Sequence, residues 1–192
     1  MIRALYDFTL SLAEHPKAIW ALALVAFAES SVFPIPPDVL LIPLIIANPR
    51  KAWLFATVTL VASVLGGLAG YAIGHFAFEQ IGRPILEALG KAEAIEAYAH
   101  KFNNVGFWAV LAAGVTPFPF KVITIMSGAT AMPLSVFIPT AILARGLRFF
   151  AVAALLRIFG PQIKDFIERR LALVFVAFVL ILIAGFVGVK YI

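Results

Sequence analysis

Hydrophobic positions dominate this chain, and the polar ones fall at a few places that divide it into segments. Residues 18 to 48 are apolar at both ends and interrupted in the middle by Glu29-Ser30-Ser31-Val32-Phe33-Pro34-Ile35-Pro36-Pro37-Asp38. Proline lacks an N–H and clashes with the preceding turn, so Pro34, Pro36 and Pro37 predict a break between two half-helices. Asn48-Pro49-Arg50-Lys51 is a polar stop, and 52 to 75 then reads as a spanning helix. Its Gly66, Gly70 and Gly74 recur every fourth residue, a spacing that lets another backbone approach closely, so they predict helix packing. Residues 76 to 104 are the most polar stretch. Leu89, Ile95, Tyr98 and Phe102 recur at helical spacing there, which predicts an amphipathic interfacial linker with a solvated charged face.

The opening pattern then returns. Over 105 to 131, Phe107-Trp108-Ala109-Val110-Leu111 leads into Thr116-Pro117-Phe118-Pro119-Phe120-Lys121, and Phe33-Pro34 is answered by Phe118-Pro119, 85 positions on. Pro117 and Pro119 predict a second break. A span over 134 to 156 follows, with Arg145 and Arg148 near its middle, then a basic turn and an uncharged span over 171 to 189. Residues 1 to 17 carry Ile2, Leu5, Phe8 and Leu12 at helical spacing and predict an amphipathic N-terminal helix.

Composition fixes the class. The chain has 192 residues, 63% of them hydrophobic and 13% charged, with a mean hydropathy of +1.04. A soluble domain of that size has too little core for so much apolar surface, so an integral membrane protein is expected. The net charge of +5 does not point to nucleic acid, because the basic residues are scattered between apolar spans. With both interrupted segments re-entrant, about three helices cross fully. Arg3, Lys17, Arg50, Lys51, Arg157, Lys164, Arg169 and Arg170 then share one side, which the positive-inside bias places in the cytoplasm with the N-terminus. The two hairpins enter from opposite faces, as an inverted repeat that marks a transporter-type site. The fold class expected is therefore all-α, with two opposed re-entrant hairpins.

Glu29, Asp38, Lys121, Arg145 and Arg148 are the candidate working groups. Carboxylates at membrane depth are costly and take up protons more readily there, which suits Glu29 and Asp38 for proton coupling. Guanidinium and ammonium groups hold phosphate, which suits Lys121, Arg145 and Arg148. The plainer alternative is that acids and bases simply pair with each other, and that Asp38 caps the second half-helix. No zinc-protease, nucleophile-elbow or phosphate-loop motif is present, so neither an enzyme nor a metal or other cofactor is expected. His15, His75 and His100 fall at segment ends, where they suit anchoring at the interface. With no cysteine, disulfides and thiol chemistry are excluded.

Glu29 followed by Phe33-Pro34-Ile35-Pro36-Pro37-Asp38, then Gly66-Gly67, Gly70-Tyr71 and Gly74, then the Pro-rich loop ending at Gly128, resembles the DedA family of bacterial membrane proteins. Thr116-Pro117-x-Pro119-x-Lys121 is similar to its YqaA branch. The resemblance covers about 16 to 160 and extends to eukaryotic VTT-domain proteins. It implies a flippase or scramblase that moves undecaprenyl phosphate or a phospholipid across the inner membrane with the proton gradient. Membrane lipids are then the partners, and a homo-oligomer is compatible with it. The family's acidic pair resembles Glu29 and Asp38. Its second loop commonly reads Gly-Arg-Phe-x-Pro-x-x-Arg, where this chain has Gly114-Val115-Thr116-Pro117-Phe118-Pro119-Phe120-Lys121: the first arginine is absent and the second is lysine. A small-solute transporter and a membrane assembly factor are the competing expectations.

Overall fold

The computed structural model describes residues 17–160 except positions 34, 89, 91 and 117. The expected N-terminal helix up to residue 16, the basic turn after 160, the span over 171–189, and Pro34 and Pro117 lie outside the described residues. Every regular element described is helical: α1 (Ala18–Ser31), α2 (Asp38–Ala47), a 3-10 turn (Pro49–Lys51), α3 (Ala52–Ala77), a π turn (Phe78–Gly82), α4 (Arg83–Ala88), α5 (Ala92–Asn104), α6 (Gly106–Val115), α7 (Phe120–Ala129), and α8 over 134–160. The run Pro49–Ala88 is continuous over 40 residues and is long and apolar enough to cross a bilayer.

Local chemistry explains the breaks. α1 stops where Phe33 precedes a proline, a position that disfavours helical backbone, and the Val32 and Phe33 amides both turn back to the Ala28 carbonyl. α2 starts behind Pro36 and Pro37, where the missing N–H groups would have been unpaired anyway. α6 ends as Thr116 turns extended, and α7 restarts after an extended Pro119. The four half-helices have 14, 10, 10 and 10 residues. At 1.5 Å per residue each is about 15–20 Å long, roughly half a bilayer core.

Each pair of half-helices doubles back on itself. Ala18 and Leu22 of α1 meet Leu44 and Ile45 of α2, packed on Ala52 and Phe55 at the start of α3 and on Ala153 and Leu156 far along α8. Val110 of α6 and Ile123 of α7 gather instead on Phe137 and Ala141 early in α8, with Leu68 and Tyr71 late in α3. Hence α3 and α8 run antiparallel. Trp53 stacks on Phe150 at 5.9 Å near one end, and Tyr71 meets Phe137 at 5.4 Å near the other. One broken hairpin occupies each end of this pair, and their tips meet halfway.

The glycines of α3 let two helices approach from different hairpins. A Cβ on Gly66 would run into the Phe27 carbonyl of α1, and one on Gly74 into the Ile125 carbonyl of α7. Gly70 sits where both meet, against Thr124 Oγ1 and the Ser30 carbonyl. The 129–133 turn is held from two sides. The Asn103 amide donates to the Thr130 carbonyl at 2.9 Å, and the Tyr71 hydroxyl donates to the Met132 carbonyl at 2.7 Å. Between them Ala131 has φ +49°.

Polarity is inverted relative to a soluble protein. Glu29, Asp38, Ser63, Thr124 and Arg145 are buried, whereas Trp20, Leu24, Leu65, Trp108, Leu147 and Ile158 are exposed. Water does not favour such an exterior; a lipid surface does.

Candidate functional site

Four half-helix ends converge where the hairpin tips meet, and each is met by a charge of the opposite sign. Helix N-termini carry unpaired amides and partial positive charge; C-termini carry unpaired carbonyls and partial negative charge. Asp38 stands in the first turn of α2. Glu29, in the last turn of α1, accepts from the Phe120 amide that opens α7, at 3.3 Å. Lys121, in the first turn of α7, donates Nζ to the Val32 carbonyl that closes α1, at 3.2 Å. Arg148 donates Nη1 to the Thr116 carbonyl that closes α6. Helices α1 and α7 thus cap each other reciprocally, acid for amide and ammonium for carbonyl. The N-cap position of α2 is Pro37, which has no side-chain capping bond; Asp38 follows it in the first turn, and its carboxylate accepts from Arg148.

Two ion pairs lie in this junction. Arg145 Nη2 meets Glu29 Oε2 at 2.5 Å, with side chains 1% and 8% exposed. Arg148 Nη2 meets Asp38 Oδ2 at 2.6 Å, with side chains 14% and 11% exposed. The Arg145 guanidinium lies between the Phe120 and Phe149 rings, 4.8 and 4.6 Å from their centroids. Its Nε donates to Ser63 Oγ at 2.7 Å. Ser63 Oγ is 2.7 Å from Ser30 Oγ, and Ser30 Oγ donates to Glu29 Oε2 at 3.1 Å. With the Ser30 proton committed to Glu29, Ser63 is the donor between the two hydroxyls. The ring closes as Arg145 to Ser63 to Ser30 to Glu29 and back to Arg145, each of the two serine hydroxyls both donating and accepting. Among the described residues, the Arg148 pair is joined to the Thr116 carbonyl and not to a ring of hydroxyls.

The structure therefore gathers all five candidate side chains at the two tips. It pairs Glu29 with Arg145 and Asp38 with Arg148, and leaves Lys121 on a backbone carbonyl. Ser30, Ser63, Thr116, Thr124, Phe120 and Phe149 were missed by sequence reasoning. Thr124 Oγ1 is 3.0 Å from the Ser30 carbonyl, a further tie between α7 and α1. One signal was available: Ser63 and Arg145 each stand eleven residues past the start of their long helices, and Gly66 and Arg148 each fourteen. The repeat thus places small residues in one half against cations in the other.

The VTT domain family model matches residues 35–158. A protein of Haemophilus influenzae is 39% identical over 151 residues, covering 79% of this chain and 78% of its own length. A protein of Histophilus somni is 34% identical over 180 residues, covering 94% and 93%. Both are described as uncharacterized. No solved structure matches the chain. With a match that runs from within the first break through the long glycine helix and the second break into the arginine helix, the chain belongs to the VTT domain (DedA) family of membrane-associated proteins.

Proposed function

We propose that the chain is a flippase or scramblase that carries a lipid phosphate, undecaprenyl phosphate or a phospholipid, between leaflets of the bacterial inner membrane with proton coupling. The two hairpins re-enter from opposite faces while α3 and α8 cross, and the N-terminus is cytoplasmic. The observation that carries this reading is the junction of four charge-capped helix ends bridged by two ion pairs. Irregular backbone at membrane depth is tolerated where protein surrounds it or a permeant passes. Lys121, Arg145 and Arg148 are the cations able to hold a phosphate, and Glu29 and Asp38 the acids able to take a proton. An anion that displaces a carboxylate from guanidinium strands that carboxylate in a low-dielectric setting. Protonation relieves that cost, so a proton taken up with the anion offsets one of its charges.

Purified full-length protein in liposomes is expected to move a fluorescent polyprenyl phosphate or phospholipid between leaflets, read by a membrane-impermeant quencher. Asp38→Asn and Lys121→Ala are expected to stop it while the proteins still insert. Movement no faster than in empty liposomes for every lipid tried defeats the proposal; proton uptake with a small solute but no lipid movement replaces it with a solute transporter.

A further inference from the structure

The two ion pairs are similarly short but differ in the exposure of their arginines and in the contacts described around them. Glu29–Arg145 is almost wholly buried, roofed by two aromatic rings and closed into a ring of hydroxyl hydrogen bonds. Opening it would leave an unpaired charge beneath Phe120 and Phe149, and would also undo the Phe120 amide cap on α7. Asp38–Arg148 is more open, and among the described residues Arg148 also donates to the Thr116 carbonyl. A phosphate monoester presents oxygens that satisfy a guanidinium's two-pronged donor pattern as a carboxylate does, with more charge. We propose that a phosphate monoester exchanges with Asp38 on Arg148, and that Glu29–Arg145 stays shut throughout as a positioning pair holding α1, α7 and α8 together.

The assignment rests on the lipid-phosphate reading above and says which of its groups perform the exchange. Arg148 becomes the binding group. Asp38 becomes the proton acceptor, since it alone loses its partner when the anion arrives. The charges around Asp38 are Arg148 in direct contact, Arg145 within electrostatic reach on the same helix, Glu29 held on Arg145, and Lys121 at the start of α7. Three of these four are fixed in other bonds during the exchange. Arg148 also ties together two half-helices, α2 through Asp38 and α6 through the Thr116 carbonyl. An anion that claims both arms of its guanidinium therefore releases one end in each hairpin at a single step.

The test is calorimetric titration of the detergent-solubilised full chain with farnesyl phosphate. Runs in two buffers of different ionisation enthalpy count the protons taken up. Farnesol and inorganic phosphate serve as separate titrants. Wild-type protein is expected to bind farnesyl phosphate with uptake of about one proton. Binding of inorganic phosphate with the same proton uptake would assign the site to free phosphate, and overturns the lipid part of the proposal. Asp38→Asn is expected to bind without proton uptake. Arg148→Gln should weaken binding about ten- to a hundredfold, and Arg148→Lys less than that. Glu29→Gln and Arg145→Lys should lower thermal stability, keep proton uptake, and weaken binding less than Arg148→Gln does. Proton uptake lost in Glu29→Gln but kept in Asp38→Asn overturns the assignment. So does wild-type affinity in Arg148→Gln, or no binding of any titrant. Binding with the expected signature but no movement between liposome leaflets refutes transport and leaves this assignment standing.

Discussion

Removing one member of the Glu29–Arg145 pair leaves the other charged inside the protein, and this perturbation is the most exacting check on the geometry described. Arg145→Leu strands the Glu29 carboxylate with only Ser30 Oγ and the Phe120 amide, and it discards two ring contacts and the bond to Ser63. Breaking a buried pair in this way costs about 3–5 kcal/mol. Glu29→Leu strands the guanidinium and removes the cap on α7, at about the same cost. Replacing both removes two charges of opposite sign together, which for buried pairs is often close to neutral. The double variant is therefore expected within about 2 kcal/mol of wild type, against about 6–10 kcal/mol for independent effects. The coupling energy follows as about 4 kcal/mol or more, far above the roughly 0.6 kcal/mol typical of a neutral interhelical hydrogen bond in a membrane. Reversible unfolding by SDS in mixed micelles, followed by fluorescence of Trp20, Trp53 and Trp108, measures all four corners of the cycle. A coupling below about 1 kcal/mol refutes the reasoning, because the two side chains then do not share a sealed site.

The close helix contacts give a second set of outcomes. Gly66→Ala and Gly74→Ala each drive a Cβ into a backbone carbonyl and should cost about 2 kcal/mol or more, whereas Gly67→Ala meets only side-chain atoms, the nearest at 3.4 Å, and should be tolerated. Unfolding midpoints of the three variants check the contrast. Ala131→Gly relieves a left-handed alanine at φ +49° and should stabilise by about 0.5–1 kcal/mol after the glycine's greater chain entropy is counted; a lower midpoint would contradict it. Topology is open to single-cysteine labelling, since the native chain has no cysteine. Cysteines at Lys17 and Arg50 should label from one face and those at Val105 and Pro133 from the other. Labelling of Lys17→Cys and Arg50→Cys from opposite faces would mean that the first segment crosses fully.

Much of the architecture was legible because prolines and glycines act locally. Pro36-Pro37 and Pro119 announce breaks through lost amides and fixed φ, whatever surrounds them. The glycines of α3 announced close packing through spacing alone, although not that Gly66 and Gly74 receive helices from two different hairpins. Pairing was harder. Nothing near Glu29 in sequence says that it reaches Arg145 and not Arg148, since the choice depends on how antiparallel α3 and α8 are set against the tips. Ser63 was hidden for a related reason: a lone serine in an apolar helix usually bonds its own preceding turn, as Thr59 does here to the Phe55 carbonyl. Its role exists only once Ser30 and Arg145 arrive from elsewhere.

The matched helix positions, Ser63 with Arg145 and Gly66 with Arg148, have a bearing on ancestry. Two identical chains related by a twofold axis would have to put the same residue at both members of each pair. Arginine at both would crowd four guanidiniums around one axis; serine and glycine at both would leave the acids with no partner. Joining the halves into a single chain lets each diverge, one side supplying room and the other charge. A duplicated gene can therefore build one asymmetric centre where a symmetric dimer is limited to two copies of a compromise.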